Sequence, residues 1–399
     1  MPNNSFYTND ELKKTLTLQL IMEQKKINID SVNAFIELSS FKAGNAEEIH
    51  AILHVKPLLD LFPQQLERLN QAQDALMAMP EMQGAQPVFM RYFLSDATNQ
   101  APLMRSDNPC TVSYIQQPPL DGSKVALWIY LQKGTDISNV NESTVVSHNG
   151  YRHIWTMGLT DTTADTSYMQ TWNTMLSYIK HLRLFNATLL DNCIRTWFYV
   201  RDVDTQYAGL VKSRRECFTE QGLTPSTHYI SSTGIGGNPV NPKALIQLGS
   251  YAMTGFEPEQ QRYLYALSHL NKTIEYGVTF ERGTLMQYGD RNHIYISGTA
   301  SIDNHGDVLY IGDIRRQTLR MWENVEALLN EGGMDFSDIM QIIVYLRDSA
   351  DYALVKQMFD EKFPNTPFVL TLAPVCRPTW LIEMECIAVK KADNAYRPF

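Results

Sequence analysis

The alternation of apolar and polar positions is clearest over the last hundred residues. Ile294 to Ile296 is a short β-branched and aromatic run closed by Gly298, which predicts a strand. From Asp313 a helical stripe runs through Thr318, Trp322, Val325 and Leu329, and the Gly332-Gly333 pair beyond it suits a left-handed C-cap. Ile339 to Leu346 predicts a second strand. Ser349 is placed to cap a helix with the stripe Tyr352, Val355 and Phe359, which Pro364 stops. Phe368 to Leu372 and Leu381 to Val389 predict two closing strands. The order strand, helix, strand, helix, strand, strand implies an α+β sheet with its helices on one face.

The pattern repeats. His293-Ile-Tyr-Ile-Ser-Gly298 is echoed by His153-Ile-Trp-Thr-Met-Gly158, and Val344-Tyr-Leu-Arg-Asp348 by Phe198-Tyr-Val-Arg-Asp202. A fainter copy lies upstream, where Arg91-Tyr-Phe-Leu-Ser-Asp96 ends one strand and Lys124 to Leu131 supplies another. The chain divides on this reading into a leader over residues 1–24 and a degenerate unit over 25–135. A second unit follows over 145–250, a crossover linker over 251–282, and a third unit over 283–392.

Composition narrows the functional classes. At 399 residues with 44% hydrophobic residues, the chain is long enough for several cores. A net charge of −9 is the wrong sign for a nucleic-acid partner, and no apolar run approaches the roughly 18 residues of a membrane span. Without a signal-like N-terminus the expected location is cytoplasmic. Five scattered cysteines with no C-x-x-C predict reduced thiols, and no residue cluster has metal-ligand spacing. His50 and His54 are four apart, but in a strand-like segment without a zincin acid. Gly234-Ile-Gly-Gly237 runs into Asn238-Pro, which cannot open a phosphate-binding helix. Neither a metal nor an organic cofactor is expected.

Ile296-Ser-Gly-Thr-Ala300, Val344-Tyr-Leu-Arg-Asp348 and Leu381-Ile-Glu-Met-Glu-Cys-Ile-Ala-Val389 resemble the YjgF/RidA (endoribonuclease L-PSP-like) superfamily. Its members form trimers with ligand clefts between subunits, so three tandem units imply a trimer fused into one pseudo-trimeric monomer. Gln206-Tyr207 through Arg214 to Phe218, together with Val375-Cys-Arg-Pro-Thr-Trp-Leu-Ile-Glu-Met-Glu385, is most similar to the chorismatases. That likeness implies hydrolysis of the enolpyruvyl ether of chorismate, or of a related small cyclic carboxylate, with release of pyruvate. Two departures stand out. The Arg-bearing segment expected between the units is replaced by Arg262-Tyr-Leu-Tyr-Ala266, and Phe368 or Val369 falls where a deaminase would carry its carboxylate-binding arginine.

The candidate chemistry gathers in the third unit. Glu383 and Glu385 alternate on one strand face, with Cα atoms roughly 6.5–7 Å apart. Among apolar neighbours an acid has its charged form disfavoured and becomes a general acid, whereas on an open face it is an ordinary solvated carboxylate. Leu127 and Ile129 in the first unit, and Ile246 and Leu248 in the second, stand at the positions read as corresponding, so the acids occur once. Cys376 and Arg377 precede the strand, and the guanidinium either binds a substrate carboxylate in a fork or sits in a surface turn. Arg214 lies on a predicted helix, as a binding group or on a solvated face, with Tyr207 on the same segment. Gly298, Thr299 and Ala300 allow close approach of a ligand, or simply pack. One working cleft is expected, with the other two empty or structural. The alternative functions are a non-catalytic ligand-binding pseudo-trimer and enamine or imine deamination, with RNA cleavage behind them.

Overall fold

The computed structural model describes residues 22–399. Most of the predicted leader, residues 1–21, lies outside them, and Met22 to Gln24 already belong to a strand, Met22–Ile29. Three six-stranded sheets share one strand order. In the first it runs Met22–Ile29, Ala34–Ala43, Ala46–Val55, Val125–Lys133, Gln86–Leu94, Thr111–Gln116. The second runs Asp136–Val140, Ser143–His148, Tyr151–Thr160, Ile246–Thr254, Cys193–Val200, Ser231–Gly236. The third runs Gln261–Leu264, Gly283–Gln287, Arg291–Ala300, Ile382–Lys391, Ile339–Leu346, Phe368–Leu372. In each, only the last pair is parallel. The protein is therefore an α+β chain of three tandem units of one topology, arranged as a pseudo-trimer.

Two boundaries move. The hairpin from Asp136 to His148 puts the start of the second sheet before residue 145, and Gln261–Leu264, in the predicted linker, is the edge strand of the third. Both segments are polar edges, where one exposed face removes the apolar signal that marks inner strands.

Helices cover the outer faces. Phe62–Met77 packs on the first sheet, Ser167–Arg183 and Val203–Glu220 on the second, and Ile314–Glu331 and Tyr352–Lys362 on the third. Asp313 caps its helix by accepting from Arg316 N, and Gly333, with φ of 77°, ends it as predicted. Ser349 does not cap the following helix. The side chain of Asp348 accepts from Ala350 N instead and nucleates a single 3-10 turn over Ser349–Asp351. No helix among the described residues is long and apolar enough to cross a membrane.

The inner faces meet along a pseudo-threefold axis, where aromatic pairs such as Phe89 with Trp155 and Tyr251 with Tyr295 join neighbouring units. Short backbone bridges repeat at the three junctions: Gln116 to Asn238, Ile235 to Val375, and Pro119 to Thr371. Each junction leaves a cleft. Register also corrects the comparison of strand faces. Tyr345 pairs with Glu383, Tyr199 with Gln247 and Phe93 with Ala126, so the counterparts of Glu383 and Glu385 are Gln247 and Gly249, and Ala126 and Trp128. Leu127, Ile129, Ile246 and Leu248 point the other way, toward the helices. The acids still occur in the third unit alone at these positions.

Candidate active site

A cleft between the second and third units holds a cavity of about 490 Å³. Its third-unit wall is built from Arg291–Ala300 and Ile382–Lys391, which bring Gly298, Ala300 and Glu383 together. The opposite wall is the helix Val203–Glu220 with the edge strand Ser231–Gly236, contributing Tyr207, Arg214 and Ser232. Cys376, Arg377 and Trp380 enter from the turn before the acid-bearing strand.

The two glutamates have different surroundings. Glu385 is 2% exposed and does not line the cavity; its carboxylate accepts from Trp197 Nε1 at 2.7 Å, from Arg195 at 2.8 Å and from the Thr233 hydroxyl. Arg91 stands a further 3.6 Å away. Glu383 is 5% exposed and faces the cavity. Burial, then the neighbouring charge of Glu385, raises its pKa to about 8, against an incomplete opposing pull from Arg195 and Arg282. It is thus a protonated carboxyl at neutral pH. Gly298 makes this possible, because a Cβ there would lie 2.1 Å from Glu383 Oε1. The Gly298 N–H donates to Thr233 Oγ1 at 2.9 Å, fixing the second unit's edge strand against the third unit's wall.

Four arginines line the cavity that this acid faces, Arg214, Arg215, Arg282 and Arg377. Arg214 is 1% exposed and reaches Ser232 Oγ at 3.5 Å, so it does not lie on a solvated face. Arg377 is half-buried, stacked 4.7 Å from the Trp380 ring centroid, with a bond to Gly306 O at 3.4 Å. Arg282, from the end of the predicted linker, is buried and donates to Asn271 O and Oδ1 at 3.2 Å. No periodic cue in the sequence points to Arg282. What positions it is the bridge between Ser231 and Glu281, a pairing 50 residues long-range that only the fold makes visible. Arg262, by contrast, is exposed on an edge strand.

Cys376 and Tyr207 form a pair on the cavity wall, the tyrosine hydroxyl donating to the thiol. Burial, followed by the nearby Glu383, pushes the thiol up to about 12, so it is held as SH. Thr299 is fully buried and donates to Ser297 O at 2.9 Å, away from the cavity. Thus Glu383, Arg377, Cys376, Arg214, Tyr207, Gly298 and Ala300 meet in one place, whereas Glu385 and Thr299 stand behind the wall.

The other clefts are smaller. One of about 270 Å³ between the first and third units is lined by His54, Glu37, Asp121, Phe368 and Val369; another of about 240 Å³ between the first and second is lined by Gly158, Thr160 and Gln247. Neither has an arginine on its wall. Phe368 and Val369 therefore border a different cleft from the acid. By register their counterparts beside Glu383 are Ser232 and Thr233, again without arginine. Gly234 and Gly236 lie in that same edge strand, packed against Tyr207 and Pro374 rather than in a nucleotide loop. Among the described residues no group of three or more His, Cys, Asp and Glu side chains could hold a metal ion.

The family described as Endoribonuclease L-PSP matches residues 285–390. A RutC family protein of Pyrococcus abyssi is 35% identical over 102 residues, 25% of this chain and 80% of that protein. The 3-aminoacrylate deaminase RutC of Acinetobacter baylyi is 31% identical over 99 residues, 24% of this chain and 79% of that one. Among solved structures, a chorismatase superposes with a TM-score of 0.60 at 17% identity, covering 78% of this chain and 96% of its own.

Proposed function

This chain belongs to the endoribonuclease L-PSP (RutC, YjgF/RidA) family as a tandem three-unit member, and on that premise we propose that it hydrolyses the enolpyruvyl ether of chorismate or a related small cyclic carboxylate. The observation that carries the reading is a neutral, buried carboxyl, Glu383, facing a cavity ringed by Arg214, Arg282 and Arg377. A cavity of about 490 Å³ suits one small ring-bearing molecule. Two or more arginines suit a dianion, each able to fork onto a carboxylate.

The chemistry follows from the acid. Glu383 donates its proton to the methylene carbon of the enol ether, leaving an oxocarbenium-like centre at the ether carbon. Water adds there and returns a proton to the Glu383 carboxylate. The resulting hemiketal breaks its bond to the ring oxygen, giving pyruvate and the ring alcohol, so one water is consumed in all. The arginines hold the carboxylates in register with the acid. No step requires a cofactor.

A second reading, enamine or imine deamination, is favoured by the 3-aminoacrylate deaminase relative of the third unit. The absence of an arginine at Ser232 and Thr233 weighs against it. Incubating the purified full chain with chorismate should release pyruvate, and Glu383→Gln should lower turnover by roughly 10²–10⁴-fold with the fold intact. Ammonia released from an enamine substrate would favour the second reading. Consumption of neither substrate would leave a ligand-binding protein.

A further inference from the structure

Behind the Glu383 wall, the pseudo-threefold axis gathers charges that touch neither the cavity nor a substrate within it. Arg91 comes from the first unit, Arg195 and Tyr199 from the second, Tyr345 and Glu385 from the third. All five are at most 2% exposed. The Arg91 guanidinium lies among the rings of Trp197, Trp128 and Tyr199, at 4.8, 5.0 and 5.4 Å from their centroids. None of its three nitrogens makes a hydrogen bond, and Nη1 stands 3.6 Å from Glu385 Oε1.

Orphaned polar atoms converge here. Arg91 Nε, Nη1 and Nη2, Arg195 Nη1, and the hydroxyls of Tyr199 and Tyr345 have no hydrogen-bond partner among the described residues. The two tyrosines sense the charges of both arginines and of Glu385, which places all of them in one cluster. Every one of these atoms can donate. Two guanidiniums face one carboxylate, Glu385, whose oxygens are already occupied by Trp197, Arg195 and Thr233. A buried cluster with an excess positive charge and unmet donors calls for an acceptor that carries negative charge.

We propose that this axial cluster binds one halide ion, held by the N–H edges of Arg91 and Arg195 and the hydroxyls of Tyr199 and Tyr345. A halide fits the chemistry better than a water, which would meet the donors but leave the charge. Each unit supplies a ligand, so the ion would tie the three together. The inference is independent of what the neighbouring cavity turns over.

The test is crystallographic, on the full chain purified and crystallised with bromide replacing chloride. One anomalous bromine peak is expected in contact with Arg91 and Arg195, and Arg91→Met should abolish it. Should Arg91→Met not fold, Tyr345→Phe, which removes a single hydroxyl, should lower the occupancy of the peak. Thermal unfolding should also rise with chloride against gluconate at equal ionic strength in the parent, and not in Arg91→Met. Water-like density without anomalous signal at saturating bromide would overturn the proposal, as would a melting temperature indifferent to the anion.

Discussion

Glu383 and Glu385 stand two positions apart on one strand face, and what separates them is the set of partners each meets. Glu385 meets Arg195 and Trp197, 190 and 188 positions away in the chain. No local pattern could reveal those partners, so the sequence could name the pair of acids and the Cys376-Arg377 turn but not choose between them. On the proposed reading Glu383 is the acid and Glu385 a positioning residue, whose charge is the second cause of Glu383's raised pKa. Glu385→Gln removes that like charge and also leaves Arg195 and Arg91 uncompensated. Both changes favour ionised Glu383, so its pKa falls from about 8. An acid must be protonated to act, so turnover is lost as pH rises through its pKa. The alkaline limb of the pH–rate profile should therefore move to lower pH in Glu385→Gln, while Gln still accepts from Trp197. An unmoved limb would remove Glu385 from the tuning of the acid.

Strands were legible at this protein's centre and their faces were not. Val125–Leu131 and Ile246–Met253 are buried at every position, so the sequence lacks the alternation that would fix which residues face inward, and a slip of one position reverses the face. The helices of the third unit, each with one exposed side, carried their stripes openly, although Ser349 is not the cap of the second. Ala46–Val55 shows the same limit: its even-numbered face places His54 between Glu37 and Asp121, at 3.7 Å from each. Burial alone would push this imidazole down, but the bonds and charges of Asp121 and Glu37 outweigh it and raise it to about 9. The sign follows. A folded value above the unfolded 6.5 means stability that is fully present below about pH 6.5 and is lost as pH rises through about 9. The loss is at most about 3 kcal/mol, from the size of that shift. Urea midpoints measured from pH 6 to 10 should fall in the parent, and this component should be missing in His54→Gln. A parent whose midpoint does not move over that window would show that the two carboxylates do not hold the imidazolium.

At the scale of the molecule, the chemistry of one cleft depends on the three units not being alike. A trimer of identical third units would set Phe368 and Val369 where Ser232 and Thr233 now face Glu383, and no helix would bring an arginine like Arg214. Fusion allows a carboxyl from one unit, Glu383, to share a cavity with an arginine from its neighbour, Arg214. It also allows charges to be buried across junctions, as Glu48 of the first unit shows. Its carboxylate takes Arg291 of the third unit at 2.7 Å and His293 at 2.9 Å, and Arg291 is fully buried. Burial disfavours the charged form of Glu48, yet His293, Arg291 and the Tyr130 hydroxyl together keep its pKa well below the ordinary range. Removing one partner of such a pair strands a charge in the interior, which costs roughly 3–5 kcal/mol, whereas removing both costs much less. Arg291→Met should lower the denaturation free energy by that amount, and adding Glu48→Gln should recover part of it. The coupling crosses a junction, so the loss should appear in one cooperative transition of the whole chain, followed by tryptophan fluorescence and by circular dichroism alike. If the first and third units instead melt separately, the buried pair does not weld them, and the three units are neighbours rather than one folded body.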